Sequence, residues 1–227
     1  MRFIGATSNL ILIPAVKDRP RELQFKDYHL QGHHPITTWT NVTDDAELIT
    51  HLMNMYFTYH YPFFTTLSKD LFYRQFMDGK QDDDPARTEY CTSLLVYVML
   101  ALGCHFTTIP RARSDHNDPA TAGNHFFKEA KRLIYENDEH ETPNLATVQA
   151  LALMSVREAG CGRESKGWIY SGMSFRMAMD LGLHLDPETL KESETLPDEV
   201  EDARRITFWG CFLFDKYPYP SLAPHTR

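Results

Sequence analysis

The fold is decided between Asn144 and Tyr217. The stretch opens with Asn144-Leu145-Ala146-Thr147-Val148-Gln149-Ala150-Leu151-Ala152-Leu153-Met154-Ser155. It continues through Gly167-Trp168-Ile169-Tyr170-Ser171-Gly172-Met173-Ser174-Phe175-Arg176-Met177-Ala178-Met179-Asp180-Leu181-Gly182-Leu183-His184. After an acidic connector comes Glu201-Asp202-Ala203-Arg204-Arg205-Ile206-Thr207-Phe208-Trp209-Gly210-Cys211-Phe212-Leu213-Phe214-Asp215-Lys216. Apolar residues recur three and four positions apart in all three segments, which is the helical period. Asn144 is an N-cap, and Leu145, Val148, Leu151, Ala152 and Met154 are its core-facing set. The glycines of Ala159-Gly160-Cys161-Gly162-Arg163 break that helix. The next carries Trp168, Gly172, Phe175, Ala178 and Leu181, with small residues that allow close helix approach, and closes at Gly182. The last begins near Pro197-Asp198 and carries Phe208, Trp209, Phe212 and Leu213.

The same period extends towards the N-terminus. Asp44 and Glu47 form a capping-box-like start, followed by Leu48, Leu52, Met55 and Tyr59 on one face, with Pro62 as the stop. Ser68–Met77 makes a short helix offering Leu71, Phe72 and Phe76, ended by Asp78-Gly79. From about Thr88 to Phe106 the pattern is apolar on every side, which places that helix in the middle of a bundle. Asp118-Pro119 reads as the start of a helix carrying Phe126, Phe127, Ala130, Leu133 and Ile134. No strand-like alternation of any length occurs. The expected fold class is all-α, a bundle of about seven helices with an irregular N-terminal segment. Residues 1–43 form that segment, 44–217 the helical domain and 218–227 a Pro-rich tail.

Composition narrows the function. A chain of 227 residues with 42% hydrophobic and 24% charged residues is an ordinary globular protein, and 12% aromatic content argues against wholesale disorder. Its net charge of −8, without any run of Lys and Arg, excludes a general electrostatic partnership with nucleic acid. Cys91, Cys104, Cys161 and Cys211 are far apart and contain no CxxC pair, so no zinc ribbon or finger of usual form is encoded. A reduced intracellular compartment is the simpler reading of four free thiols. No segment approaches the roughly 20 apolar residues of a membrane-spanning helix. The start shares a short apolar run, Leu10-Ile11-Leu12-Ile13, with signal peptides, but Asn9 precedes it and Pro14 interrupts it.

Histidines and aromatics offer two chemical readings. His29, His33 and His34 lack Cys or acidic neighbours at ligand spacing and read as solvated loop residues. His51 and His60 flank the aromatic run Tyr56-Phe57-Thr58-Tyr59-His60-Tyr61-Pro62-Phe63-Phe64. An α-helical metal-dependent hydrolase would need such histidines. Yet H-E-x-x-H, G-x-S-x-G, an adjacent His-Asp pair and a phosphate-binding Gly loop are all missing, so the chain reads as a non-enzyme. The aromatic run itself fits either a ligand box or a helix end packed on the core.

Several blocks resemble the fungal-specific transcription factor domain, the middle homology region of binuclear zinc cluster regulators, in its xylanolytic-activator-like branch. The blocks are Phe3-Ile4-Gly5-Ala6-Thr7-Ser8, Tyr56-Phe57 with Pro62-Phe63-Phe64, Ala146-Thr147-Val148-Gln149-Ala150-Leu151, and Asp180-Leu181-Gly182-Leu183-His184. A last block combines Glu201, Arg204-Arg205, Phe208-Trp209 and Asp215-Lys216. The order and spacing match the family from Phe3 to Lys216. The resemblance implies a nuclear regulator of transcription, controlled by a small-molecule inducer, another transcription regulator or a homodimer partner. It implies no membrane and no cofactor in this chain. The family's zinc and its DNA contact belong to a six-cysteine module not found here, and Tyr217-Pro218-Tyr219-Pro220 departs from the family's continuation. A fragment or truncated paralogue is therefore expected, with an apolar patch left open and marginal stability alone.

The element expected to communicate is the helix pair that ends at His184 and begins near Glu201. Its candidate residues are Asp180, His184, Glu201, Arg204, Arg205, Trp209 and Asp215. Arg204 and Arg205 sit three and four residues after Glu201, at ion-pair spacing, or one turns inward to hold Asp180 or Asp215. Tyr56, Phe63, Phe64 and Trp168 are candidates to line a ligand cavity, which would favour sensing over a ligand-free dimerisation or interaction module.

Overall fold

The computed structural model describes residues 34–80, 89–136, 138–141, 143–185 and 196–216. Among them are seven α-helices: α1 Ala46–Met55, α2 Lys69–Asp78, α3 Ser93–Gly103, α4 Asn124–Glu136, α5 Leu145–Gly160, α6 Glu164–Asp180 and α7 Asp198–Lys216. They contain no β-strand, only an isolated bridge between Arg113 and Ala122. The all-α expectation holds. The calls on residues 1–33 and 217–227 lie outside the described residues.

Local chemistry explains most boundaries. Asp45 caps α1, its carboxylate accepting from Leu48 N at 3.0 Å, so the cap falls one residue later than the Asp44 expected. Beyond Met55 the helix widens into a π-turn over Tyr56–His60. Ser68 precedes α2, and Gly79 ends it at φ +77°, a left-handed conformation that costs glycine little. Thr92 caps α3, and Asn144 caps α5 by accepting from Thr147 N at 2.8 Å. Asp118 does not begin a long helix. It caps a single 3-10 turn, Pro119–Thr121, and α4 starts only after the left-handed Gly123. Pro35–Trp39 forms another 3-10 turn, and buried Trp39 donates its indole N–H to Phe76 O at 2.9 Å.

The core is layered around α3, buried from Leu94 to Gly103, with α1, α4 and α5 against it. Full burial of each Leu or Val there contributes about 1.5–3 kcal/mol relative to exposure. On its other side α5 carries α6 and α7. The facing of these two helices corrects the sequence reading. Buried positions of α6 are Gly167, Tyr170, Ser171, Ser174, Met177 and Ala178, and those of α7 are Ala203, Thr207, Gly210, Cys211 and Phe214. Trp168, 66% exposed, and Trp209, 58% exposed, point away from the core. Close helix approach requires small side chains, and these dictate which face turns in: a Cβ added at Gly167 would stand 2.8 Å from Ser155 O. At Gly172, expected to allow close approach, an added Cβ meets nothing within 4 Å.

Candidate functional site

The surface built by α6 and α7 combines large exposed apolar side chains with a rigid polar frame. Beneath it, Gln149 Nε2 donates to Thr207 Oγ1 at 2.9 Å, and that hydroxyl donates to Thr66 O at 3.0 Å. Ser174 donates to Val148 O at 2.8 Å and lies 3.1 Å from Cys211 Sγ. These buried bonds fix α5, α6, α7 and the Thr66 loop in one register, because each would leave an unsatisfied polar group if slipped. None was anticipated from sequence; the signal was the run of small residues at Gly167, Ser171, Ser174 and Ala178.

Above this frame the two helices are locked at one end by Arg204. Its Nη2 donates to Leu181 O at 3.2 Å, so a cation from α7 closes the C-terminus of α6, where carbonyls lack partners and the helix dipole is negative. Arg205 turns outward to Glu201, one helical turn earlier, with Asp202 at 4.0 Å. Neither arginine is bonded to Asp180 or Asp215. Asp215 pairs with Lys216 at 2.9 Å, and Asp180 is exposed. The His184 ring lies 6.4 Å from Phe208, joining the end of α6 to α7 by an aromatic contact. At the start of α7, Glu199 receives both Arg74 nitrogens, at 2.7 and 2.9 Å, tying it to α2.

An open groove of about 740 Å³ lies along α6, lined by Trp168, Ile169, Gly172, Met173, Phe175, Arg176 and Met179, and reaches Asp215 and Lys216 at the end of α7. Phe208, Trp209 and Phe212 form an aromatic group beside it, with Phe175 6.2 Å from Phe208 and from Phe212. Leu213, also on α7, is 60% exposed.

The four residues suggested for a ligand cavity do not line this groove together. Trp168 alone belongs to it. Tyr56 is fully buried on the π-turn, Phe63 is 77% exposed, and Phe64 packs on Phe214 at 5.5 Å. Around Tyr56 the aromatic run forms a stack: His60 lies 5.1 Å from Tyr56 and 5.0 Å from Phe64. Burial pushes the Tyr56 phenol well up and lowers the His60 imidazole to about 4, so both are neutral near pH 7. His60 Nδ1 and Nε2 have no hydrogen-bond partner, whereas His51 Nε2 contacts Thr107 Oγ1 at 2.9 Å. The two histidines raised for a hydrolase thus sit in separate surroundings, His51 bonded to Thr107 and His60 stacked among aromatic rings.

The four cysteines are all free. Cys91, Cys104 and Cys211 are buried, burial raises all three thiols, Cys104 and Cys211 to about 12, and among the described residues no cysteine belongs to a group with metal-ligand proximity. Among the described residues the one group with metal-ligand proximity is Asp138, His140 and Glu141, which is largely exposed. No helix among them is long and apolar enough to cross a membrane.

Comparison with known proteins agrees with the sequence blocks. The chain is 59% identical over 217 residues to the "Nitrogen assimilation transcription factor nit-4" of Neurospora crassa, covering 95% of this chain and 19% of that protein. It is 60% identical over 220 residues to the "Nitrogen assimilation transcription factor nirA" of Emericella nidulans, covering 95% of this chain and 23% of that one. An uncharacterized transcriptional regulatory protein of Schizosaccharomyces pombe shares 31% over 165 residues, 73% of this chain and 24% of its own length. The chain therefore spans about a fifth of the length of the curated relatives it matches. No solved structure matches it. Residues 53–219 match the family described as "Fungal specific transcription factor domain", so the chain belongs to that family, as a regulatory domain of a fungal transcription factor and not an enzyme.

Proposed function

We propose that this chain controls a nuclear transcription factor for nitrogen assimilation genes, and that the α6–α7 surface is where control is exerted. The observation that carries the reading is the outward placement of Trp168, Ile169, Trp209 and Leu213 on two helices held by buried polar bonds. A core would have taken those side chains inward, and large exposed apolar groups on a rigid frame mark an interaction surface. Another transcription regulator, a second copy or an inducer acts by binding one arrangement of α6 and α7 better than another. DNA and zinc belong to a separate module of the parent factor, in which this chain needs no cofactor of its own. The name shared by the two relatives supports nitrogen assimilation as the regulated process.

The test is an in-frame deletion of this chain's coding segment from the host gene. Transcripts of nitrogen assimilation genes are then measured on inducing and repressing nitrogen sources. The reading predicts a response that no longer depends on the source; an unchanged response removes it.

A further inference from the structure

The connection between α4 and α5 gathers three metal-ligating side chains on one short turn. Asp138, His140 and Glu141 each present a ligand atom, and the three atoms lie within 4.8 Å of one another. Ligands held about 2.1 Å from a small cation stand about 3 Å apart when adjacent and about 4.2 Å apart when opposite, so small side-chain rotations complete a coordination shell. Asp138 makes the turn at φ +51°, and Glu141 N–H donates to Asp138 O at 2.8 Å. Glu139, between them, stands apart from the group, half-buried in the field of Lys80 and Arg132. Among the described residues no cation pairs with Asp138 or Glu141.

His140 separates this group from ordinary acidic surface. Its Nδ1 lies 2.9 Å from Ile134 O, in the last turn of α4. A carbonyl only accepts, so Nδ1 carries the proton and Nε2 of the neutral ring keeps the lone pair that a metal takes. The same bond fixes the orientation of the ring, as in the histidines that hold metals elsewhere. We propose that Asp138, Glu141 and His140 Nε2 form a binding site for a divalent first-row transition cation of the zinc or manganese kind. Two neighbouring carboxylates repel each other, and a dication between them removes the repulsion. The imidazole favours a borderline cation over magnesium or calcium, whose sites are built from oxygen.

Three protein ligands leave the remaining positions to water, and Asp138 and Glu141 are exposed. Such a site exchanges its metal and follows the free concentration of the cation, in contrast to a resident cofactor. Occupied, it ties both carboxylates to a ring anchored on α4, which stiffens the turn that leads to the Asn144 cap of α5. The site contains no cysteine and is separate from the zinc of the parent factor's DNA-binding module. It is also independent of the nitrogen reading.

The experiment is a titration of the full chain at pH 7 with manganese chloride, whose unpaired electrons broaden nearby backbone resonances. Zinc chloride or, separately, magnesium chloride is then added as competitor. The proposal expects saturable broadening centred on residues 138–141. Equimolar zinc should relieve it, because zinc stands above manganese in the order of affinities, and equimolar magnesium should not. Asp138→Asn and His140→Gln should each weaken manganese binding by roughly tenfold or more. Broadening centred instead on the acidic start of α7, residues 198–202, overturns the proposal. So does broadening that zinc leaves in place, that magnesium relieves equally, or that is unchanged in D138N. D138N removes an exposed ligand without touching the bond to Ile134, so it decides the question even where H140Q alters the turn.

Discussion

Arg204 Nη2 donates to Leu181 O at 3.2 Å, so the last turn of α6 is closed by a side chain of α7. The bond crosses an undescribed acidic connector and makes the two helices one mechanical unit at the end where His184 meets Phe208. Its neighbour Arg205 makes only local contacts along α7. Replacing Arg204 by Met, which keeps the stem but removes the donor, is expected to cost about 1–2 kcal/mol in urea unfolding. Arg205→Met should lie within about 0.5 kcal/mol of the parent, as exposed i,i+4 pairs do. Equal effects from the two would contradict the cap.

Two glycines separate close approach from open surface. An added Cβ at Gly210 stands 2.8 Å from Thr66 Cγ2 and 2.9 Å from Thr65 O, and the second neighbour is backbone. Gly210→Ala is expected to destabilise by about 1–3 kcal/mol. Gly172 is helical with nothing near its missing Cβ, so Gly172→Ala should stabilise by about 0.5–1 kcal/mol. Paired denaturation midpoints check both signs.

His60 predicts a pH dependence. Burial lowers its folded pKa to about 4, below the ordinary 6.5 of the unfolded chain. Between those values the unfolded state binds a proton that the folded state refuses, so stability is full above pH 6.5 and falls as pH drops towards 4. The loss from this group is about 2–3 kcal/mol. Phe keeps a flat ring for the stack with Tyr56 and Phe64 and carries no proton. His60→Phe should therefore flatten the stability profile between pH 7 and 4.5, measured as urea midpoints; an unchanged slope assigns the acid sensitivity elsewhere.

The α1 cap discriminates between adjacent aspartates. Asp45 accepts from Leu48 N and pairs with Arg111, whereas Asp44 caps nothing among the described bonds. Asp45→Ala should cost about 1 kcal/mol and Asp44→Ala only a few tenths. Thermal unfolding of the two variants reads the difference directly.

Helix identity was legible because periodicity and punctuation agree: Asn144 caps α5, Gly79 and Gly182 adopt positive φ near helix ends, and α3 is apolar all round. The facing of α6 and α7 was not. Both helices carry aromatic residues on one side and small ones on the other, and size alone favours sending Trp168 and Trp209 inward. What decides is proximity: a Cβ at Gly167 would meet Ser155 O of α5 and one at Gly210 would meet Thr65 O and Thr66, and most other buried positions of the two helices are also small. The buried bonds of Gln149, Thr207 and Ser174 join positions 26 to 141 residues apart, and no local pattern announces them. Buried Arg157, which donates to Ala122 O and Asn124 Oδ1, was hidden for the same reason, since these partners and the Phe127 ring beside its guanidinium belong to α4 and the turn before it.

The central claim is that the outward face of α6 and α7 serves regulation and not stability. The direct measurement is the double variant Trp168→Ser/Trp209→Ser in the host's own gene, with its unfolding midpoint determined on purified protein. The account predicts a midpoint change equivalent to less than about 1 kcal/mol, as for exposed positions, together with loss of the nitrogen-source dependence of transcription. A variant that regulates normally would contradict the account, and so would one that fails only because the domain unfolds.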